Sequence, residues 1–516
     1  MLKIKIENIA KQIISFYNEY DLRVAGKVNN HTAFELIEKI EKNYPVDSIQ
    51  FSDGTRIWNL IRVFIYADIQ KQTERETKEK KINKNSLKSL SFILKEGIVP
   101  LKLPHKKIDI CGFSSTESRK YRKGKYYDIY LDPLYDVIGE NFTVFEWPEI
   151  SGYRRKYHGK IYSKNYVQMH IPIFTKTFWN ILFYKLLSRR NFSIDPEKVL
   201  IEIIEFISKT SSIDKDKLMK DVYDFITIFF YIKSFLYKIL KDVSPNTVLI
   251  RCGYGRFPMA LSQACRELGI PSIELQHGLI TSYHPAYIKT IKSENRDCVP
   301  EYLLTHGDIF TDIVKAGNLF DKNKVISVGF PYLEKIKEET KRNNSPSTMS
   351  PSPFQHNILF TSQWSIANEI QDFIIKVAEK LKKSQLNIGI IFKPHPYDTT
   401  DYSHLAKYDH IILANKYEDT FKLFNKVDVH STVYSTSGLE AMAFGKPNIF
   451  VDICELMEKS DSQFIVDSPS QFIDTLQNIL SNYNEISKQT LELANIFFKP
   501  SSKRSLKEFF TKLRVI

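Results

Sequence analysis

STVYSTSGLEAMAFGKPNIFVD, residues 431–452, runs from the end of an apolar strand through a string of hydroxyls into a helix, then through Gly445-Lys446-Pro447 into another strand. That is one strand–helix–strand unit. Upstream lie NILFTSQ (357–363), a helical pattern through NEIQDFIIKVAEKLKK, NIGIIFKPHP (387–396) and HIILAN (410–415), and helices follow to the end. An earlier series has the same texture: KIDICGFS (107–114), FTVFEWPEI (142–150), VLIRCGYG (248–255), SIELQHG (272–278), YLLTHGD (302–308) and KVISVGF (324–330). Short apolar runs alternating with helices argue for parallel sheets covered on both faces. NNSPSTMSPSPFQH (343–356), rich in Ser, Pro and Asn, separates the two series as a linker would. The expected order is a mostly helical region (1–105), a first Rossmann-like domain (106–342) with a helical insertion at about 176–243, the linker, and a second Rossmann-like domain (357–516). In the helical region LIEKIEKN, IWNLIRVFIYADIQKQ and SLKSLSFILKEG carry the periodicity.

The composition is that of a folded chain. Of 516 residues, 43% are apolar and 26% charged, which sets aside disordered, collagen-like and disulfide-framed proteins. Aromatics reach 13%, suiting filled interiors or surfaces that meet sugars, nucleobases or lipid headgroups. A net charge of +13 favours anionic partners without choosing one. The lysines are dispersed, and neither an RNA-recognition signature nor a zinc-finger spacing occurs, so no nucleic-acid partner is expected. Five cysteines without a CxxC pattern fit a reducing cytoplasm. Lysines and a glutamate interrupt the first residues, unlike a signal peptide. The most apolar stretch, Phe225 to Leu240, is broken by Lys233 and Lys238 and is too short to span a bilayer. It reads as a core helix or as an interfacial helix on an anionic membrane, which would make the protein peripheral at the inner face of the cell membrane.

Three segments carry candidate chemistry. In the first, Ser435-Thr436-Ser437 stands where strand gives way to helix. Backbone N–H groups at a helix start attract phosphate, and hydroxyls add donors to the same oxygens. Glu440, one turn in, is placed to accept from ribose hydroxyls. Ser437-Gly438-Leu439-Glu440 equally fits a capping box, which needs no ligand. In the second, FKPHPYD (392–398), Lys393 and His395 project to one side if the chain is extended, and Pro394 and Pro396 keep it from helix. The pair either converges on an anion or decorates a strand-end turn. The third is SIELQHGLITSYHPAY (272–287), with His277 ahead of Gly278 at the carboxyl edge of a buried-looking strand. Ligands of open parallel sheets bind beyond that edge. His277 is therefore the candidate catalytic residue, as general base towards an acceptor hydroxyl or as donor to a phosphate, with a strand-capping role as the alternative.

Weaker candidates surround these. The glycines of RCGYGRFP (251–258) suit an anion-binding backbone nest beside Arg251 or Arg256. Residues 111–136 hold Arg119, Lys120 and Arg122 and read as a basic acceptor-binding loop or as a solvated charge run. His306 of THGD reads as structural, and Asp53 and Arg56 receive no role.

The segment at 431–447 resembles the nucleotide-binding domain of GT-B glycosyltransferases, in which a hydroxyl-rich turn, a helix bearing Glu and a G-x-P recur near the donor nucleotide. The resemblance implies phosphate contacts for Ser435, Thr436 and Ser437 and a ribose contact for Glu440, with Gly445 and Pro447 as the G-x-P. K-P-H-P resembles a segment shared by the capsular-polysaccharide (Kdo transferase-like) group, CDP-glycerol glycerophosphotransferases and bacterial polysialyltransferases. It binds donor phosphate there, which implies that role for Lys393 and His395. A comparable HG occurs in the capsule and teichoic acid enzymes. Related transferases often place a hydroxyl turn after the first strand of the donor domain, which implies Ser362 and Gln363. The resemblance covers about 245–455. It implies an α/β GT-B fold, two Rossmann-like domains facing a cleft, with a nucleotide-sugar donor on the second and a glycan or lipid-linked glycan acceptor on the first. The implied function is a glycosyltransferase of bacterial capsule or lipopolysaccharide biosynthesis, its donor a CMP-linked sugar acid such as Kdo, with CDP-glycerol and UDP-sugars behind it.

Several chemistries lack their motifs: the P-loop and the dinucleotide fingerprint, and the nucleophile elbow of α/β-hydrolases. Catalysis is expected to need no metal and no cofactor, Lys, His and helix-start donors balancing the leaving-group charge. A nucleotide-sugar 2-epimerase and a noncatalytic glycan- or lipid-binding scaffold are the competing expectations.

Overall fold

The computed structural model describes residues 6–14, 30–75, 101, 103, 108–147, 157–169, 193–211, 213–342, 352–363, 366–384, 386–396, 398–453 and 464–515. Among them, seven strands form one sheet: β1 (Ile110–Ser114), β2 (Phe142–Glu146), β3 (Tyr166–Gln168), β4 (Thr247–Ile250), β5 (Ser272–Leu275), β6 (Tyr302–Thr305) and β7 (Val325–Ser327). Their order is β7-β6-β5-β4-β1-β2-β3, parallel throughout. Six more form a second sheet: β8 (His356–Thr361), β9 (Ile388–Lys393), β10 (Ile411–Leu413), β11 (Val429–Thr432), β12 (Asn448–Val451) and β13 (Ile465–Val466). Here the order is β10-β9-β8-β11-β12-β13, again all parallel.

Both orders start at a central strand, step outward one way, return, and step outward the other way. This is the doubly wound Rossmann-like arrangement the alternating pattern predicts. It creates one topological switch point per sheet, between β1 and β4 and between β8 and β11, beyond whose carboxyl ends such folds bind ligands. Strands β1, β2, β4, β5, β11 and β12 are buried along their whole length. Helices cover both faces of a parallel sheet, so its strands read as continuous apolar runs instead of alternating ones.

The flanking helices follow their periodicity. LIEKIEKN lies in α1 (Asn30–Asn43) and IWNLIRVFIYADIQKQ in α2 (Trp58–Arg75). SLKSLSFILKEG falls outside the described residues. The insertion is helical where described, as α3 (Glu197–Ser211) and α4 (Lys215–Val243), after a short strand Ile194–Asp195 that pairs antiparallel with Gln50–Phe51. Asp214 caps α4 by accepting the Lys217 N–H at 2.7 Å, and the helix ends at Ser244, whose backbone is left-handed with φ 47°.

The Phe225–Leu240 stretch is a core helix, not a membrane face. Phe225 stacks on Phe64 at 4.4 Å, Phe229 on Phe51 at 6.4 Å, and Lys233, itself buried, pairs with Asp53 (2.7 Å) and Glu267 (2.8 Å). Burying each such ring contributes about 1.5–3 kcal/mol, so its aromatic face is consumed by packing. Among the described residues, no helix is long and apolar enough to cross a membrane.

By contacts the chain divides into two compact units: residues 26–305, 310–332 and 501–516, holding the first sheet, and residues 1–25, 306–309 and 333–500, holding the second. This differs from a division at 343–356 in three places. The second unit takes in 1–25 and begins at Leu333, inside the helix Pro331–Arg342, and the chain's last residues return to the first unit, where Leu506, Phe509 and Phe510 join the core of Ile110, Phe142 and Leu304. Residues 343–351 of the expected linker lie outside the described residues.

Candidate active site

At the β8/β11 switch point of the second sheet the expected hydroxyl residues come together. Thr361 ends β8, and its hydroxyl lies 2.8 Å from Ser437 Oγ, which in turn lies 2.9 Å from Ser435 Oγ. Behind them His430, fully buried on β11, places Nε2 3.1 Å from the Thr361 hydroxyl and Nδ1 2.5 Å from Asn448 Oδ1. Burial holds this imidazole neutral by pushing its pKa down to about 4, against the Asn448 hydrogen bond. With Asn448 accepting from Nδ1–H, Nε2 accepts from the Thr361 hydroxyl, while the Ser437 hydroxyl, beside Thr361, donates to Ser435 Oγ. A chain of hydroxyls thus runs from the core to the edge of the sheet. Gln363 spans the switch point, accepting the Tyr434 N–H at 3.1 Å, and the Ser362 amide donates to the Lys393 carbonyl at 3.0 Å.

Thr436 is exposed and is the cap residue of α5 (Ser437–Ala443), but no side chain caps that helix. The capping-box reading is therefore not realised: Ser437 is already helical, and its hydroxyl turns inward to Thr361 and Ser435. Glu440 sits one turn in, half-buried. The Gly445 carbonyl accepts the Ser487 hydroxyl at 2.6 Å, tying the G-x-P turn to its own unit.

K-P-H-P closes β9 at the same edge. Lys393 is buried, its Nζ donating to the Lys416 carbonyl at 3.2 Å, while Lys416 donates to the Asp398 carbonyl at 2.8 Å. His395 is half-buried in the following turn, its carbonyl accepting the Asp398 N–H at 2.9 Å. Burial alone would raise the Asp398 pKa, but hydrogen bonds from Tyr402 (2.5 Å) and Thr400 (2.9 Å) hold it low. The turn is thus braced from within, with Lys393 on main chain and His395 nearer the surface.

The β1/β4 switch point of the first sheet holds the second cluster. Arg251, just past β4, donates to Ser115 Oγ at 3.0 Å, lies 3.6 Å from Glu117, and covers the Tyr130 ring at 5.6 Å. The Tyr130 hydroxyl donates to the His277 carbonyl at 2.6 Å. His277 is half-buried, with Nε2 3.1 Å from the Tyr254 hydroxyl. Arg251 and His277 are therefore neighbours through Tyr130, at the carboxyl ends of adjacent strands.

Three expectations are corrected here. The RCGYG nest is already filled: the buried Glu274 carboxylate accepts the Gly253 N–H and the Tyr287 hydroxyl (2.7 Å), and a Cβ at Gly253 would lie 2.1 Å from Glu274 Oε2. A carboxyl group of the chain itself occupies the place expected for a ligand. Arg119 is not an acceptor-binding surface residue. It opens a hairpin (Arg119–Arg122 with Lys125–Asp128), and its enclosed guanidinium pairs with Glu146 at 2.6 Å and lies 4.0 Å from Asp132 and 4.7 Å over Tyr166. Arg256 likewise lies over Phe225 at 4.7 Å, where burial lowers its pKa. Asp53 pairs with Lys233 and Arg56 with Asp297 (3.2 Å), while His306 rests against Phe498 at 6.0 Å as a structural residue.

Thr361, His430 and Asn448 behind the hydroxyl turn, and Ser115, Tyr130, Tyr254 and Glu274 around His277, escape a sequence reading. The one signal was local: Gly-Tyr-Gly at a strand end singles out Tyr254, and Gly253 announces a close approach without saying by what. Among the described residues, no group of three or more His, Cys, Asp or Glu side chains is placed to hold a metal ion. Cys111, Cys252, Cys265 and Cys298 are free and buried.

Residues 273–499 match the family described as CDP-Glycerol:Poly(glycerophosphate) glycerophosphotransferase. No curated protein matches the chain. Among solved structures, a putative UDP-N-acetylglucosamine 2-epimerase from Listeria monocytogenes is similar at 13% identity and TM-score 0.49, covering 79% of this chain and 98% of that one. The S. aureus MnaA–UDP co-structure follows at 11% identity and TM-score 0.46, covering 79% and 97%. The wall teichoic acid polymerase TagF, solved with CDPG, gives 12% identity and TM-score 0.45, covering 83% and 97%. The family match takes in His277, Lys393, His395 and the whole hydroxyl edge, and it makes this segment that of a nucleotide-dependent transferase enzyme.

Proposed function

We propose that the protein is a glycerophosphotransferase-type enzyme that moves glycerol phosphate from CDP-glycerol to a hydroxyl of a poly(glycerophosphate) or glycan acceptor. The observation that carries this reading is the family match over 273–499. It favours CDP-glycerol over the CMP-linked sugar acid that the K-P-H-P resemblance put first. The hydroxyl edge at the β8/β11 switch point supports it, because Ser435 and Thr436 stand where doubly wound sheets bind phosphate.

In this reading the acceptor oxygen bonds to the phosphorus that carries the glycerol, the bond from that phosphorus to the bridging oxygen breaks, and CMP leaves. His277 takes the acceptor proton as general base, worth about 10²–10⁴ in rate. Arg251 faces the anionic acceptor. Lys393, His395 and the hydroxyls of Ser435 and Thr436 balance the charge on departing CMP, with Ser362 and Gln363 shaping the same edge and Glu440 accepting from the ribose. Membrane attachment of the acceptor would bring the protein to the inner membrane face.

The test is CMP release from CDP-glycerol in the presence of a poly(glycerophosphate) acceptor, with CMP-Kdo and UDP-GlcNAc as comparison donors. The reading expects turnover with CDP-glycerol and a loss of at least ~10²-fold in His277→Ala. Preference for CMP-Kdo would return the donor to a sugar acid, and epimer formed from UDP-GlcNAc without acceptor would make the enzyme an epimerase.

A further inference from the structure

His277 is not held by its own strand alone. Its carbonyl accepts the Tyr130 hydroxyl at 2.6 Å, and its Nε2 meets the Tyr254 hydroxyl at 3.1 Å, the two rings lying 5.3 Å apart. Tyr254, half-buried, also packs against His284 at 5.0 Å and edge-on against Tyr287 at 5.8 Å. Beneath it, Glu274 accepts from the Gly253 amide, one residue before Tyr254, and from the Tyr287 hydroxyl. Glu274 lies on β5 three residues before His277. One buried carboxylate therefore ties together the turn that carries Tyr254, the turn that carries Tyr287 and the strand that delivers His277.

Resting on the proposed function, we propose that Tyr254, clamped by Glu274, is the positioning residue that fixes the His277 imidazole by its Nε2, and thereby sets which ring nitrogen works on the acceptor proton. A neutral phenol suits the task. It accepts from Nε2–H, which leaves the lone pair of the neutral ring on Nδ1 for the acceptor proton, and the same bond persists in the imidazolium, so the ring stays in place through the reaction. Arg251, with Ser115 and Glu117, stands at the same strand ends, and Tyr130 fixes the main chain where Tyr254 fixes the ring.

The experiment uses the full chain and two readouts. In protein labelled with 15N at histidine, the His277 ring signals are assigned by their loss in His277→Gln and then compared between wild type and Tyr254→Phe. The proposal expects the Nε2 resonance to move in Tyr254→Phe while the His430 and His284 signals stay put. Unchanged His277 signals overturn it. Turnover of CDP-glycerol is the second readout: Tyr254→Phe is expected to lower kcat about tenfold, the worth of one lost hydrogen bond, and to leave the donor KM within about twofold. Equal loss through KM, or wild-type turnover, also overturns the proposal. If wild type releases no CMP from any donor, the proposed function fails, and the ring signals still decide the role of Tyr254.

Discussion

Glu274→Gln should change how the stability of the first unit depends on pH. The side chain is 1% exposed, and burial pushes its pKa up to about 7 from 4.5, with the Gly253 amide and the Tyr287 hydroxyl pulling the other way. Between those two values the folded protein holds a proton that the unfolded chain has released. The stability tied to the protonated form is therefore complete below about pH 4.5 and is lost as pH rises through 7, a swing of about 3 kcal/mol. Glutamine cannot ionise and has no such swing. Asp132, buried beside Asp128, is also raised to about 7 and imposes a slope of the same sign, but it does so in both proteins and cancels in the difference. Cys252, pushed up to about 12 by burial, and Tyr287 stay neutral over the range. Urea unfolding followed by tryptophan fluorescence at pH 5 and pH 8 reads the effect. The variant should gain about 3 kcal/mol on wild type between the two pH values, whatever its absolute stability. Parallel shifts at both pH values would mean that the carboxyl ionises as it would in water, and the enclosed frame drawn around it would be wrong.

Gly253→Ala should destabilise the first unit by about 2–4 kcal/mol, because the new Cβ meets Glu274 Oε2 and Pro300 Cγ and costs overpacking plus a hydrogen bond to a buried group; denaturant midpoints check it, and a neutral result would contradict the filled nest. Arg119→Leu leaves Glu146 buried without its 2.6 Å partner and should cost about 3–5 kcal/mol in the same assay, whereas an acceptor-binding arginine would lose affinity and keep its stability. Asp214→Ala removes the cap of α4 and should cost about 1 kcal/mol, seen as faster hydrogen exchange in the first turn of that helix and unchanged exchange at its centre.

What could be read from the sequence divides by range. Strand identity was legible because parallel strands buried on both faces leave continuous apolar runs. The hydroxyl edge was legible because Ser362, Gln363 and Ser435 to Ser437 follow directly on two such strands, and the strand order then brings those ends side by side. What could not be read depends on partners far along the chain. Arg119 looks like a surface cation until Glu146, 27 residues later, encloses it. RCGYG looks like an empty nest until Glu274 fills it from the next strand. Ser437 looks like a helix cap until Thr361, 76 residues earlier, meets its hydroxyl. The aromatic stripe of α4 looks equally fit for lipid or core, and the rings of Phe51 and Phe64, brought by a separate helical region, decide for core.

A crystal structure with CDP-glycerol bound bears most directly on the functional reading. The diphosphate should lie beyond the carboxyl ends of β8 and β11, within hydrogen-bond reach of Ser435 or Thr436 and of His395 or Lys393. A diphosphate seated instead on Arg251 and Ser115 at the edge of the first sheet, away from residues 434–437, would contradict it.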